Sequence, residues 1–205
     1  ESIWRGTDQL PGVRIHVGRR ATQLDLAGRR VVDGHGDSYA YDKLLLATGG
    51  TPRRLPFGGD DIIYFRTLAD YRRLRALAEP GRRVAVLGGG FIGSEVAAAL
   101  ALQGCKVVLL FPEDGVGARV FPADLARFLV DYYRERGVDA HPGQMVSAIR
   151  TQGSVHEIVT AAGLRFTVDA VVAGLGIVPE TTLAAAAGLT VNDGIVVDER
   201  LRTSH

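Results

Sequence analysis

Cysteine is almost missing from this sequence: Cys105 stands alone among 205 residues. A single thiol excludes an intrachain disulfide and a Cys-x-x-Cys redox pair, and its place at the head of an apolar run reads as an inert packed residue. Charge bias of one sign is missing too, since 24 Lys+Arg face 23 Asp+Glu for a formal +1. That balance provides no broad electrostatic footprint for nucleic acid or an anionic membrane. The longest charge-free apolar stretch, near Ala170–Val178, falls far short of the ~20 residues a membrane span needs. The five histidines (His16, His35, His141, His156, His205) show no metal-ligand spacing, so no metal is expected. No G-x-S-x-G elbow surrounds Ser94, which argues against a hydrolase triad. Lysine is reduced to Lys43 and Lys106 beside 22 arginines, a bias of genome composition rather than of function. Glu1-Ser2-Ile3-Trp4-Arg5 has neither an initiator methionine nor the apolar run of a signal peptide, so the chain reads as a piece of a longer protein.

What remains is an ordinary globular composition, 46% apolar and 23% charged, with glycine enriched at 26 residues. The glycines cluster where apolar runs meet turns, the habit of nucleotide-binding α/β folds. Val13–Val17 alternates with period two and reads as a strand, as do Ala21–Leu26 and Arg29–Val32 around the Ala27-Gly28 turn. Leu44–Ala47 is continuously apolar, as expected of a strand buried on both faces, and stops at the loop Thr48–Pro52. Residues 53–66 read as a crossing linker and Asp70–Leu77 as a helix. Arg72, Arg73, Arg75, Arg82 and Arg83 form a basic cluster that reads as a solvated face.

A β-α-β signature follows. Val84–Leu87 is an apolar strand, Gly88–Gly93 a glycine turn, Glu95–Gln103 an alanine-rich helix and Lys106–Phe111 a second strand. A further helix opens near Pro122, with Leu125, Phe128, Leu129 and Tyr132 as its apolar face and Gly137 closing it. Three short hairpin strands follow, near Met145–Ile149, Val155–Thr160 and Leu164–Val168. Asp169–Gly174 reads as another buried strand.

Gly88, Gly90 and Gly93 form the G-x-G-x-x-G pattern between a strand and a helix, the context that gives it meaning. Gly88 allows the tight turn, Gly90 lets a pyrophosphate approach the backbone, and Gly93 lets helix and sheet pack closely. Phosphates would sit on the free N–H groups of the helix start. Dinucleotide sites place an acid about 20 residues further on for the ribose hydroxyls. Phe111 ends the second strand and is not acidic, but Glu113 follows two residues later. An acid there repels a 2′-phosphate, so NAD(H) is expected over NADP(H). Arg119 weakens that expectation, because it can meet a phosphate or stack on adenine.

The order of motifs resembles the pyridine nucleotide-disulfide reductase superfamily in its ferredoxin/rubredoxin reductase branch. The residues that carry the resemblance are Tyr41–Gly49, Phe65–Asp70, the glycine turn, and the run from Gly188-Leu189 through Gly194–Asp198 to Leu201–Ser204. Ala47–Arg53, Gly88–Ala97 and Leu110-Phe111-Pro112-Glu113 look like the apoptosis-inducing-factor-like oxidoreductases within it. The resemblance implies an α/β fold: a Rossmann-like NAD(H)-binding domain at residues 51–177, with a parallel sheet, helices and a small antiparallel β-meander. It would be inserted in an incomplete FAD-binding domain made of residues 1–50 and 178–205. The family's FAD-binding glycine turn would lie before Glu1, and its Gly-Asp and interface domain beyond His205.

By the same resemblance, Gly89, Gly90, Phe91 and Ile92 would line the NAD pyrophosphate and nicotinamide, Glu95 the carboxamide, Glu113 and Arg119 the adenosine side, and Gly176 the nicotinamide ribose. Phe91 reads equally as helix-start packing. On the FAD side, Ala21 would touch adenine through its backbone, Thr48 and Gly49 would form a loop against the cofactor, and Arg66 would reach its phosphates or ring edge. No residue here is expected to be catalytic in itself, because flavin supplies the chemistry. The implied function is an NADH oxidoreductase passing hydride to FAD and electrons on to a small redox acceptor protein or a quinone. The alternative is a slow, NADH-responsive redox sensor. The intact protein would be cytoplasmic in a bacterium, or mitochondrial in a eukaryotic apoptosis-inducing-factor relative, and a homodimer is compatible with either. The present chain is expected to fold without retaining FAD and to be inactive alone.

Overall fold

The structure is a computed structural model and describes residues 12–205; the stretch Glu1–Arg5 discussed above lies outside them. In chain order, the first elements are β1 (Ala21–Asp25), β2 (Arg30–Asp33), β3 (Ser38–Ala40), β4 (Gly50–Pro52), β5 (Ile63–Tyr64), α1 (Leu68–Leu77) and β6 (Arg83–Leu87). Next come α2 (Phe91–Leu102), β7 (Lys106–Leu110), α3 (Ala123–Glu135), β8 (Val138–His141), β9 (Val146–Gln152), β10 (Val155–Thr160) and β11 (Arg165–Val168). The last are β12 (Ala170–Ala173), β13 (Ile177–Pro179), α4 (Thr182–Ala186), β14 (Val191–Asn192) and β15 (Gly194–Ile195). Packing divides the described residues into two compact units, residues 12–49 with 179–205, and residues 50–178.

The unit of residues 50–178 is built on a five-stranded sheet of order β5-β12-β6-β7-β8, with every pairing parallel. Strands β5, β12, β6 and β7 are buried on both faces, as their apolar runs require, whereas the edge strand β8 alternates buried and open residues. Val84, Val86, Val107, Leu109, Ala170 and Val172 pack with Leu74 of α1, Val96, Ala97 and Leu100 of α2 and Val130 of α3. The alternate residues Ala85, Leu87, Val108, Leu110, Val171 and Ala173 meet Ile149, Ile158 and Val168 of an antiparallel meander ordered β11-β10-β9. Helices, parallel sheet and meander therefore form three layers. The α/β class and the meander agree with the sequence reading.

Helix starts explain two boundary shifts. Thr67 caps α1 by a reciprocal box with Asp70: its hydroxyl accepts from the Asp70 N–H, and Asp70 Oδ2 accepts from the Thr67 N–H at 2.7 Å. That box starts the helix at Leu68 rather than Asp70. Helix α2 begins at Phe91, not Glu95, because Gly90 takes the cap position and Gly93 already lies inside the first turn.

The face expected of α3 is only partly the buried one, for of its four residues Leu129 alone packs against the core. Ala126 and Val130 are its buried residues, while Phe128 is 59% exposed and Leu125 and Tyr132 are exposed with it. The cause is close approach: a Cβ on Gly115 would stand 2.6 Å from the Ala126 carbonyl carbon, so only small side chains fit between loop and helix. The displaced aromatics cover one another, with Phe128 and Tyr132 6.0 Å apart and the Arg136 guanidinium 3.4 Å over the Tyr132 ring.

The other unit holds the sheet β1-β2-β3 and a small core of Leu24, Ala184 and Leu189, against which Leu46 packs. Neither Val13–Val17 nor Leu44–Ala47 forms a strand, which corrects both readings. Leu45 is 85% exposed. A strand exists only as a member of a ladder, and among the described residues none hydrogen-bonds to either run as a strand. No described helix is long and apolar enough to cross a membrane.

Candidate functional site

The glycine turn joins the C-terminal end of β6 to α2, and its glycines do different work. A Cβ on Gly93 would lie 1.8 Å from the Gly88 carbonyl oxygen, and one on Gly88 would lie 2.5 Å from the Gly174 oxygen. A Cβ on Gly89 would meet the Phe111 ring at 2.7 Å. These three are glycine because the fold is closed around them. Gly90 differs: its φ is −79° and its Cβ would meet nothing within 4 Å. Open space therefore faces the start of α2, where no side chain caps the helix and no acid sits in the first turn. Helices α1 and α3 carry Asp70 and Asp124 at that place. The free N–H groups and the positive dipole end of α2 are left for an anion.

The acid stands beside the turn on the loop after β7. Glu113 Oε1 accepts from Arg119 Nε at 2.8 Å and lies 2.7 Å from Arg119 Nη2. Both guanidinium nitrogens go to one oxygen, so Oε2 has no partner among the described residues. The Glu113 side chain is 24% exposed and that of Arg119 80%. The loop is fixed by its backbone: the Glu113 carbonyl accepts from Gly143 N–H at 2.9 Å and that of Phe111 from Gln144 N–H at 2.8 Å.

Phe91 is 58% exposed. Its ring stands edge-on to Phe121 at 6.1 Å and 89°. Ile92 is half-buried, with its Cγ2 close to Gly174. Glu95 is exposed and has no hydrogen bond or ion pair among the described residues. Gly176 has φ +86° and open space at its Cβ. Arg66 is exposed; its N–H donates to Asp70 Oδ2. Ser94 Oγ donates to the Phe91 carbonyl at 3.0 Å. Cys105 is buried, burial pushes its thiol pKa up, and its Sγ lies 3.4 Å from the Glu79 carbonyl oxygen. No described cluster of His, Cys, Asp or Glu has the form of a metal site.

In the other unit, Ala21 opens β1. Thr48 Oγ1 donates to the Glu180 carbonyl at 2.6 Å, and the Glu180 N–H donates to the carbonyl of Gly49, whose φ is +69°. Thr48 and Gly49 thus form one loop with Glu180.

Sequence reading missed three residues. Gly174 closes over Gly88 and Gly93. Gly117 donates its N–H to the Gly89 carbonyl at 2.7 Å, and Phe121 lies across both Gly117 and Phe91. A glycine directly after the buried strand β12 was the available signal for Gly174; the other two depend on how the loop folds back.

The family model described as pyridine nucleotide-disulphide oxidoreductase matches residues 7–205. The chain is 39% identical over 197 residues to the ferredoxin–NAD(+) reductase component of the anthranilate 1,2-dioxygenase system of Burkholderia cepacia, covering 94% of this chain and 48% of that protein. It is 33% identical over 196 residues to the rubredoxin–NAD(+) reductase of Pseudomonas putida, covering 94% and 51%. The crystal structure of the covalent putidaredoxin reductase–putidaredoxin complex superposes with a TM-score of 0.82 at 34% identity, over 91% of this chain and 47% of that one. The chain spans about half the length of the relatives it matches.

Proposed function

The chain belongs to the pyridine nucleotide-disulphide oxidoreductase family, and from that premise we propose that residues 51–177 form the NAD(H)-binding domain of a FAD-dependent NADH oxidoreductase. Residues 1–50 and 178–205 are its FAD-domain segments. The electrons pass to a small redox acceptor protein of the ferredoxin or rubredoxin class; a quinone is the alternative acceptor. Relatives named as ferredoxin–NAD(+) and rubredoxin–NAD(+) reductases support that class.

The observation that carries the reading is the open ground before Gly90 at an uncapped helix start. The pyrophosphate rests there on the N–H groups of Phe91 and Ile92, where the dipole favours it. Glu113 Oε2, free of other partners, accepts from a ribose hydroxyl and repels a 2′-phosphate, so NADH is preferred to NADPH. The run Leu110-Phe111-Pro112-Glu113, similar to the apoptosis-inducing-factor-like oxidoreductases, carries the acid beyond the strand end. Phe91 shields the nicotinamide side, Glu95 orients the carboxamide and Gly176 lets the backbone approach the nearby ribose. FAD, when bound, supplies the hydride acceptor and the route for single electrons. Ala21, Thr48 and Gly49 meet it through backbone and Arg66 through charge.

The test uses the 205-residue chain in calorimetric titrations with NADH. Binding is expected, and Gly90→Val is expected to abolish it with the thermal melt nearly unchanged. A chain that binds no NADH, or a Gly90→Val variant that binds it normally, overturns the reading.

A further inference from the structure

The glycine turn stands at the C-terminal end of β6; the N-terminal ends of β6 and β7 carry a different arrangement. Arg83 and Lys106 open these two strands, are register partners across the parallel ladder, and are both exposed. Each lies two residues before a side chain that meets the meander, Ala85 and Val108, so both cations stand on that face of the sheet. Neither the Arg83 guanidinium nor the Lys106 ammonium has a hydrogen bond or ion pair among the described residues. The nearby acids are engaged elsewhere. Asp169 Oδ2 accepts from the Arg83 backbone N–H at 2.9 Å, and Asp139 Oδ1 lies 2.8 Å from His141 Nε2. Helix C-termini do not account for the pair, because the helices pack on the opposite face. There α1 and α3 carry Arg75 and Arg134 in their own last turns. Like charges directly opposite on one face of a sheet cost stability.

A cavity of about 480 Å3 opens at this pair, lined by Arg83, Lys106, Val108, Gly137 and Asp139 among others. Small-molecule sites span about 300–1,000 Å3. Gly137 leaves open space where a side chain would stand. The cavity lies roughly 16 Å from the glycine turn, the length of five strand residues. We infer that it is a second ligand site, for a small organic acid with one carboxylate and an apolar body. The carboxylate bridges Arg83 and Lys106, which offsets their repulsion and makes charge-assisted hydrogen bonds. Val108 offers the apolar contact. Asp139, on the third side, repels further negative charge, so a monoanion fits and a phosphate dianion does not. The inference is independent of the NAD(H) reading, since the two sites lie at opposite ends of the same strands.

The experiment follows the backbone amides of the isotope-labelled chain by NMR during titration with benzoate. The amides of Arg83, Lys106, Val108 and Gly137 are expected to shift and saturate, while those of Gly88–Gly93 stay in place. Benzamide, of the same shape without the charge, and inorganic phosphate are expected to bind at least about tenfold more weakly, the weight of one charge-assisted hydrogen bond. Arg83→Gln and Lys106→Gln each weaken benzoate by about tenfold or more, and Lys106→Arg retains it. Without benzoate, Lys106→Gln melts at the parent temperature or above, because the like-charge contact is gone. Its loss of binding is then not a loss of fold. Benzoate that moves no amide at this end, benzamide or phosphate that binds as tightly, or Lys106→Gln with unchanged affinity overturns the inference. A Lys106→Gln chain that melts well below the parent shows the pair to be structural and overturns it as well.

Discussion

Gly117 donates its backbone N–H to the carbonyl of Gly89 at 2.7 Å, tying the loop after β7 to the second glycine of the turn. Gly117 sits at φ +70°, and a Cβ there would strike the Phe121 ring at 2.5 Å. Phe121 in turn stands against Phe91, the first residue of α2. The turn, the loop and the helix start therefore close into one ring of contacts, with the Glu113–Arg119 pair on the same loop. The two ends of a bound dinucleotide would be served by a single piece of backbone.

That ring makes Gly117→Ala a stringent variant. The left-handed backbone alone costs an L-residue about 1–2 kcal/mol, and the methyl must also move an aromatic ring. Urea unfolding is expected to show at least that loss. NADH affinity should fall as well, because the displaced Phe121 no longer holds Phe91. A variant as stable and as tight as the parent would show that the ring of contacts does not form in solution.

The glycines of the turn separate fold from function. Gly93→Ala places a methyl on the Gly88 oxygen, and forcing the turn apart costs about 3 kcal/mol or more. Gly90→Ala meets open space, so its cost is the small one of exchanging a cap glycine, about 1 kcal/mol or less. The phosphate approach suffers instead: NADH affinity is expected to fall about tenfold or more, since each displaced backbone bond is worth about 1 kcal/mol. Melts and titrations of the two variants should therefore rank in opposite ways.

The sheet strands were legible because burial on both faces leaves unbroken apolar runs such as Val84–Leu87 and Val107–Leu110, punctuated by glycine. The turn was legible because Gly88, Gly90 and Gly93 fall in one short segment between an apolar run and a helix, although the contacts that force Gly88 and Gly89 come from Gly174 and Phe111. Leu44–Ala47 carries the same signal as those strands, yet composition cannot say whether a neighbouring strand exists. The α3 face misled for another reason. Size and hydrophobicity pointed to Leu125, Phe128 and Tyr132, whereas Gly115 leaves room only for Ala126. The pairing of Arg119 with Glu113 was not legible, since Arg119 reads in the sequence as meeting a phosphate or stacking on adenine, and the fold of the six-residue loop decides which groups meet.

The α3 assignment can be checked directly. Ala126→Leu drives a branched chain into the Gly115 contact and is expected to cost about 1–3 kcal/mol. Phe128→Ser exchanges an exposed ring and should stay within about 0.5 kcal/mol of the parent. The reverse order in urea unfolding would restore Leu125, Phe128 and Tyr132 as the buried face.

Acid sensitivity is expected to concentrate on Asp33. Desolvation pushes its pKa up, but the N–H groups of His35 and Asp37, the Tyr39 hydroxyl and the Arg19 charge outweigh that and hold it below the ordinary value. Its two oxygens accept all four groups, at 2.9, 3.0, 2.9 and 3.2 Å. A depressed carboxylate stabilises the fold above its unfolded pKa, near 3.9. That stabilisation is lost as pH falls through the lower folded value. Asp33→Asn should be less stable than the parent at neutral pH, and the gap should close below about pH 4. A gap that is constant across that window would remove Asp33 from the acid response.

Phe91 offers the sharpest separation between binding a dinucleotide and binding half of one. Its ring is 58% exposed, so Phe91→Ala gives up little core; the edge contact with Phe121 is worth about 0.5–1.5 kcal/mol. If the ring shields the nicotinamide, its removal weakens NADH but leaves ADP-ribose, which lacks that ring, bound as before. A purely structural role would weaken both ligands by the same factor, since each uses the same helix start and the same acid. Phe121→Ala should reproduce the selective loss in smaller measure, because it removes the support and not the shield. The double variant should be no worse than Phe91→Ala alone, as a support has nothing left to act on once the shield is gone. Equal losses for NADH and ADP-ribose in Phe91→Ala, or additive losses in the double variant, would leave Phe91 as part of the turn's packing and assign the nicotinamide end to other residues.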